Sequence, residues 1–138
     1  MLLTIEKVII LKGVSIFSET PDEVLAEVAG ILDVVDVKAG ESVIQKGDMG
    51  RSMYVIVDGK VQVHDEDRII ANLGEREVFG ELSALDPEPR LASVTALVDS
   101  RFFRLDHFTL YEFMTEHIAV AKGIIAVLCK RLRGQPKT

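Results

Sequence analysis

A chain of 138 residues is long enough to bury one hydrophobic core and too short for two, so residues 1–138 are expected to form a single domain. With 48% hydrophobic and 28% charged residues, the composition excludes a disordered tail, a fibre and a low-complexity linker. Sixteen Lys and Arg against 22 Asp and Glu leave a net charge of −6, which offers no general attraction to nucleic acid or to an anionic membrane.

The N-terminus lacks a basic segment ahead of an apolar one, and the longest charge-free stretches, such as 91–98, are far too short to cross a bilayer. Neither export nor membrane insertion is expected. The single cysteine, Cys129, makes neither an intrachain disulfide nor a thiolate zinc site. It reads as a small core hydrophobe in a cytoplasmic protein.

In chain order, residues 4–11 predict a short helix with Ile5, Val8, Ile9 and Lys12 on one face, ended by Gly13 in the left-handed region. A second helix is predicted to run from an N-cap at Thr20, through Pro21 and Glu23, to about Leu32, with Val24, Leu25, Val28 and Ile31 or Leu32 as its apolar stripe. From Val34 the period changes to that of strands, broken by glycine turns at 39–40 and 47–50. Asp58-Gly59 between 53–57 and 60–64 predicts a tight hairpin. Asp65-Glu66-Asp67 predicts a solvated hairpin tip. Further short strands follow at 69–73 and 77–79, and 91–98 with 101–105 is expected as a last pair.

Beyond Asp106, a candidate N-cap, two helices are expected, at 107–115 and 118–133. The last carries two apolar rows. Ile118, Ala121, Ile125, Leu128 and Leu132 follow a coiled-coil seam, and Val120, Ile124 and Val127 make a second row. Packing within the domain and contact with a second copy or a partner domain both remain open. Lys130, Arg131 and Arg133 complement the dipole at that helix end. The fold expected is mainly β with flanking helices, an eight-stranded antiparallel β-roll or jelly roll between N-terminal helices (1–33) and two C-terminal helices (106–134).

The chemistry is concentrated at 79–94. Gly80 allows close backbone approach, and a helical turn starting at Glu81 points unpaired N–H groups outward, which favours an anion. Arg90 supplies an always-charged, paired donor for a phosphate, and Glu81 accepts two hydrogen bonds of the kind sugar hydroxyls donate. The plain alternative is a strand-end turn in which Glu81 and Arg90 form a surface ion pair worth about 0–1 kcal/mol. The histidines His64, His107 and His117 lie on separate elements, and no metal site is expected of them.

Gly80-Glu81-Leu82-Ser83, with Pro89-Arg90 following and then Ala92-Ser93-Val94, resembles the phosphate-binding cassette of cyclic nucleotide-binding domains. The segments 38–41, 47–50, 53–56 and 58–61 resemble the glycine turns and strands that precede that cassette. The resemblance implies that Glu81, helped by the Gly80 backbone, accepts the ribose 2′-hydroxyl and that Arg90 pairs with the cyclic phosphate. Backbone N–H groups at Leu82, Ser83, Leu91, Ala92 and Ser93 would complete the cradle.

Leu91 departs from the Ala, Ser or Thr of many relatives and argues against cGMP, so cAMP is the expected ligand. Its bulk is also a candidate for narrowing the pocket. Family members cover the base from the following helix or a partner subunit, for which Ile124, Ile125, Leu128 and Arg131 are the candidates here. Two function classes follow: a cyclic nucleotide sensor acting through its C-terminal helices, and a β-roll interaction module that no longer responds to nucleotide. No nucleophile–base pair or paired carboxylates suggest an enzyme.

Overall fold

The structure is a computed structural model in which residues 2–134 are described. It divides into two compact units, Leu32–Leu110 and a helical unit built from the residues before and after it.

The first unit holds strands β1 (Asp33–Val37), β2 (Ser42–Ile44), β3 (Met49–Gly50), β4 (Ser52–Asp58), β5 (Val61–Asp65), β6 (Arg68–Leu73), β7 (Val78–Phe79), β8 (Glu88–Pro89), β9 (Ser93–Ala96) and β10 (Ser100–Asp106). Eight of them form two four-stranded antiparallel sheets, ordered β1-β10-β4-β7 and β2-β9-β5-β6. This is the expected eight-stranded roll. An additional two-stranded ribbon, β3 with β8, lies where the sequence predicts a turn and a proline loop.

The inner faces share one core. Ile44, Val61 and Val94 come from one sheet, and Ile56, Phe79 and Phe102 from the other. Tyr54 stacks on Phe79 at 5.0 Å between ring centres, and Phe102 meets both rings edge-on at 6.0 and 5.7 Å. Along β1–β10, Arg101 forks onto Asp36 at 2.8 and 3.2 Å, and Arg104 lies 3.6 Å from Asp33. Both are cross-strand partners in the register.

Two expected pairings are corrected. Asp58-Gly59 does turn the chain, with φ +115° at Gly59, but β4 and β5 belong to different sheets and do not pair. Likewise β9 and β10 are not partners, and β9 begins only at Ser93. The chain crosses between sheets at both corners. There Leu97 N–H donates to Lys60 O at 2.8 Å and Lys60 N–H to Ser100 Oγ at 3.3 Å, so each corner satisfies the other. The true hairpin is β5–β6, closed by the acidic turn with Glu66 at φ +55°.

The helical unit contains α1 (Thr4–Lys12), a 3₁₀ turn (Ser15–Phe17), α2 (Asp22–Ala29) and α5 (Ile118–Arg133). The five-residue α3 (Glu81–Leu85) belongs to the roll, and α4 (His107–Glu116) begins in the roll and ends in the helical unit. Helix α1 buries Ile10 and Leu11, while Ile5 and Ile9 of the expected face are exposed. Apolar residues on every side of this helix leave its period ambiguous. Its C-cap Gly13 takes φ −80°, not the left-handed conformation.

Helix α2 starts after Pro21 and ends at Ala29, earlier than expected. Thr20 does not cap it. The Thr20 hydroxyl is fully buried without a hydrogen-bond partner, in close approach to Gly123 of α5. Asp106 does cap α4, its Oδ2 accepting from Phe108 N–H at 3.1 Å.

Helix α5 separates its two rows. Val120, Ile124 and Val127 are buried, whereas Ile118, Ile125 and Leu132 are 64%, 59% and 68% exposed, with Ala121 and Leu128 between. The basic helix end is tied to the start of the chain, Lys130 to Glu19 at 2.7 Å and Arg131 to Ser15 Oγ. Cys129 is half-buried and lies outside the core. No described helix is long and apolar enough to cross a membrane.

Candidate functional site

Strand β7 pairs with β4 through Tyr54–Phe79 and delivers the chain to Gly80 at the edge of the roll. Gly80 adopts φ +71°, ψ +21°, a conformation that costs any residue with a Cβ. A Cβ there would also lie 2.6 Å from Arg90 Nη1 and 2.9 Å from Ser52 O. From this N-cap α3 turns outward. Ser83 N–H bonds Gly80 O at 3.1 Å, Asp86 N–H bonds Leu82 O at 2.8 Å, and His107 Nδ1 donates to Ala84 O at 2.8 Å. The first N–H groups of such a turn have no partner within it.

Arg90 arrives from the opposite side. Its N–H donates to Asp48 O at 2.8 Å and its carbonyl accepts from Gly47 N–H at 2.9 Å, next to the β3–β8 ribbon. Its guanidinium donates from Nη1 to Ser83 Oγ at 3.0 Å and from Nη2 to Ser52 O at 2.7 Å. Both acceptors are neutral. Among the described residues no carboxylate forms an ion pair with Arg90, which excludes the plain surface ion pair with Glu81.

Burial pushes the Arg90 pKa below its ordinary value, with Tyr54 opposing, yet a guanidinium remains charged at physiological pH. The result is a half-buried cation whose charge the fold leaves uncompensated, beside the N-terminal turn of α3. That arrangement favours an anion able to take two N–H donors at once, as a phosphate does.

The other expected site residues flank this centre. Leu82 is exposed, and Leu91 is 85% exposed, so its bulk is not wedged into the roll. Glu81 and Ala92 are half-buried. Ser93 Oγ accepts from Lys46 N–H at 3.0 Å and so serves the neighbouring turn. A cavity of about 450 Å³ is lined by Arg90 together with Ser42, Gln45, Asp48, Arg51, Tyr54 and Asp106, but not by residues 80–83.

Two contributors escape sequence reasoning: Ser52, through its carbonyl, and Gly50, over which the Arg90 stem lies. The glycine turn 47–50 was the available signal, but nothing in its pattern says which side chain crosses it. Among the described residues no group of His, Cys, Asp and Glu is placed to hold a metal.

Comparison with known proteins agrees with this geometry. The family profile described as cyclic nucleotide-binding domain matches residues 34–117. The CRP-like cAMP-activated global transcriptional regulator of Mycobacterium tuberculosis is 29% identical over 129 residues, covering 90% of this chain and 58% of that protein. The cyclic AMP receptor protein of Thermus thermophilus is 34% identical over 102 residues, covering 68% of this chain and 46% of its own length. The chain thus spans about half the length of these relatives. Among solved structures, the N-terminal domain of a transcriptional regulator from Streptomyces coelicolor superposes with a TM-score of 0.83 at 31% identity over 90% of both chains. The matched strands, the glycine-led turn and the uncompensated Arg90 have one common account: the chain belongs to the cyclic nucleotide-binding domain family.

Proposed function

We propose that this domain is a regulatory module that binds cAMP in preference to cGMP and passes occupancy on through its C-terminal helices. Arg90 pairs with the cyclic phosphate, Glu81 accepts the ribose 2′-hydroxyl beside Gly80, and backbone N–H groups of Leu82, Ser83, Leu91, Ala92 and Ser93 surround the phosphate. The observation that carries this reading is the desolvated Arg90 guanidinium, bonded only to the neutral oxygens of Ser83 and Ser52. Preference for cAMP rests on Leu91, which has no hydroxyl to offer a guanine base, and on the two relatives whose names carry cyclic AMP. The module is not an enzyme and works in the cytoplasm.

The exposed row Ile118, Ile125 and Leu132, continuous with Ala121 and Leu128, supports a contact with a second copy or a partner domain. It also supports the alternative of a ligand-independent interaction module. Thermal melting with cAMP, cGMP and cyclic dinucleotides separates the two, because a ligand that binds only the folded state raises its Tm. A rise with cAMP, smaller with cGMP and absent in Arg90→Ala, is expected. No rise with any nucleotide transfers the function to the α5 surface.

A further inference from the structure

Gly50 does not need to be glycine for its own backbone. Its φ lies outside the left-handed region occupied by Gly40, Gly47, Gly59 and Gly80, and it pairs with Glu88 in the β3–β8 ribbon as an ordinary strand residue. What a side chain there would meet is Arg90. A Cβ would lie 2.6 Å from Cζ and 2.7 Å from Cδ of Arg90, and would also collide with Nε. The three atoms it would meet first all belong to this one flexible side chain.

Resting on the proposed ligand reading, we infer that Gly50 is a positioning residue for nucleotide binding: it is the floor of the slot that aims the Arg90 guanidinium at the phosphate. The slot has two glycine walls with different duties. Gly80 is held to glycine by its backbone as well as by Arg90 Nη1 and Ser52 O. Gly50 has no such backbone demand, and the first atoms a side chain there would meet are those of Arg90. Between them the stem is confined, the backbone of Arg90 is pinned to Asp48 and Gly47, and the head is tied to Ser83 and Ser52.

A methyl group at position 50 therefore displaces the guanidinium by more than its hydrogen bonds tolerate while leaving the ribbon's backbone unstrained. Misplacing a pre-aimed donor costs affinity through lost preorganisation, not through lost fold.

The test is a double-mutant cycle in Gly50→Ala and Arg90→Ala, read by calorimetric titration with cAMP and by thermal melting of the free proteins. Gly50→Ala is expected to weaken cAMP binding by about tenfold or more, and because Arg90→Ala itself loses cAMP binding, that background is read through the Tm of the free proteins. The Tm of free Gly50→Ala should stay within about 3 °C of the parent, and the double variant should melt at or above the single one, because truncating Arg90 frees the space.

Parent-like affinity in Gly50→Ala overturns the inference. A large fall in the Tm of free Gly50→Ala that Arg90→Ala does not relieve shows that Gly50 serves the fold and also overturns it. Absence of cAMP binding by the parent is a distinct result that removes the ligand reading itself.

Discussion

Arg90 is a charge that the folded chain keeps half out of water with only a serine hydroxyl and a backbone carbonyl for company. Such a group is expensive in the free protein and favourable once an anion arrives. Arg90→Ala should therefore leave the Tm of the free protein within about 3 °C of the parent, or raise it, while abolishing the Tm increase caused by cAMP. A large fall in the free protein's Tm, measured by calorimetry, would contradict this view of Arg90 as functionally placed.

Phe102 behaves in the opposite way. It is fully buried and meets Tyr54 and Phe79 edge-on, so Phe102→Ala should cost about 3–5 kcal/mol in chemical denaturation. That is a large part of the stability of a domain this size.

At the scale of elements, Thr20 offers the sharpest test of the α2–α5 junction. Its buried hydroxyl has no partner, so the isosteric Thr20→Val should stabilise the protein by about 1 kcal/mol and raise its Tm by a few degrees. Destabilisation would mean that the hydroxyl is bonded after all. The β1–β10 pair carries a pH signature. The Arg101 guanidinium hydrogen-bonded to Asp36 holds that carboxyl below its ordinary value. A depressed folded-state value adds stability above the ordinary carboxylate range, and that stability is lost as pH falls through the folded value. Asp36→Asn should consequently make the decline in Tm between about pH 5 and pH 3 shallower. An unchanged slope would show that the exposed pair contributes nothing.

The elements also show what the sequence could and could not convey. Strand period, glycine turns and the Asp106 cap are local signals, and they placed the strands of the roll and the start of α4 well. Asp58-Gly59 specifies a bend but not what pairs across it, and in this roll β4 takes β10 while β5 takes β9. Pairing partners this far apart in the chain, such as Ile56 with Phe102 and Val61 with Ala96, leave no mark on a local pattern. Thr20, Pro21 and Glu23 had the residue types of a capping box, yet tertiary packing against Gly123 claimed the Thr20 side chain. In α1, apolar residues all round the helix hid which face was inward, and Ile10 with Leu11 could be told from Ile5 with Ile9 only by packing. Within the site, Gly80, Ser83 and Arg90 were legible because the turn chemistry and the charge are encoded side by side. Ser52 contributes a carbonyl and Gly50 contributes room, neither of which has a residue-type signature.

For the whole molecule, the fold and the site make one argument. A roll with an aromatic core at Tyr54, Phe79 and Phe102 packs β7 beside β4, and next to that pair Gly80 and Arg90 converge. Ligand binding at such a site adds an anion where the protein has already placed a cation, so binding should stabilise the fold by an amount that grows with the logarithm of nucleotide concentration. The helical unit presents an exposed row on α5, Ile118, Ile125 and Leu132.

The most direct test is calorimetric titration of the purified protein with cAMP and cGMP, with Arg90→Ala in parallel. The account predicts micromolar or tighter binding of cAMP, weaker binding of cGMP, and loss of binding by at least about a hundredfold in Arg90→Ala. Absence of heat with either nucleotide in a folded, ligand-free sample, or cAMP binding that survives in Arg90→Ala, would contradict it.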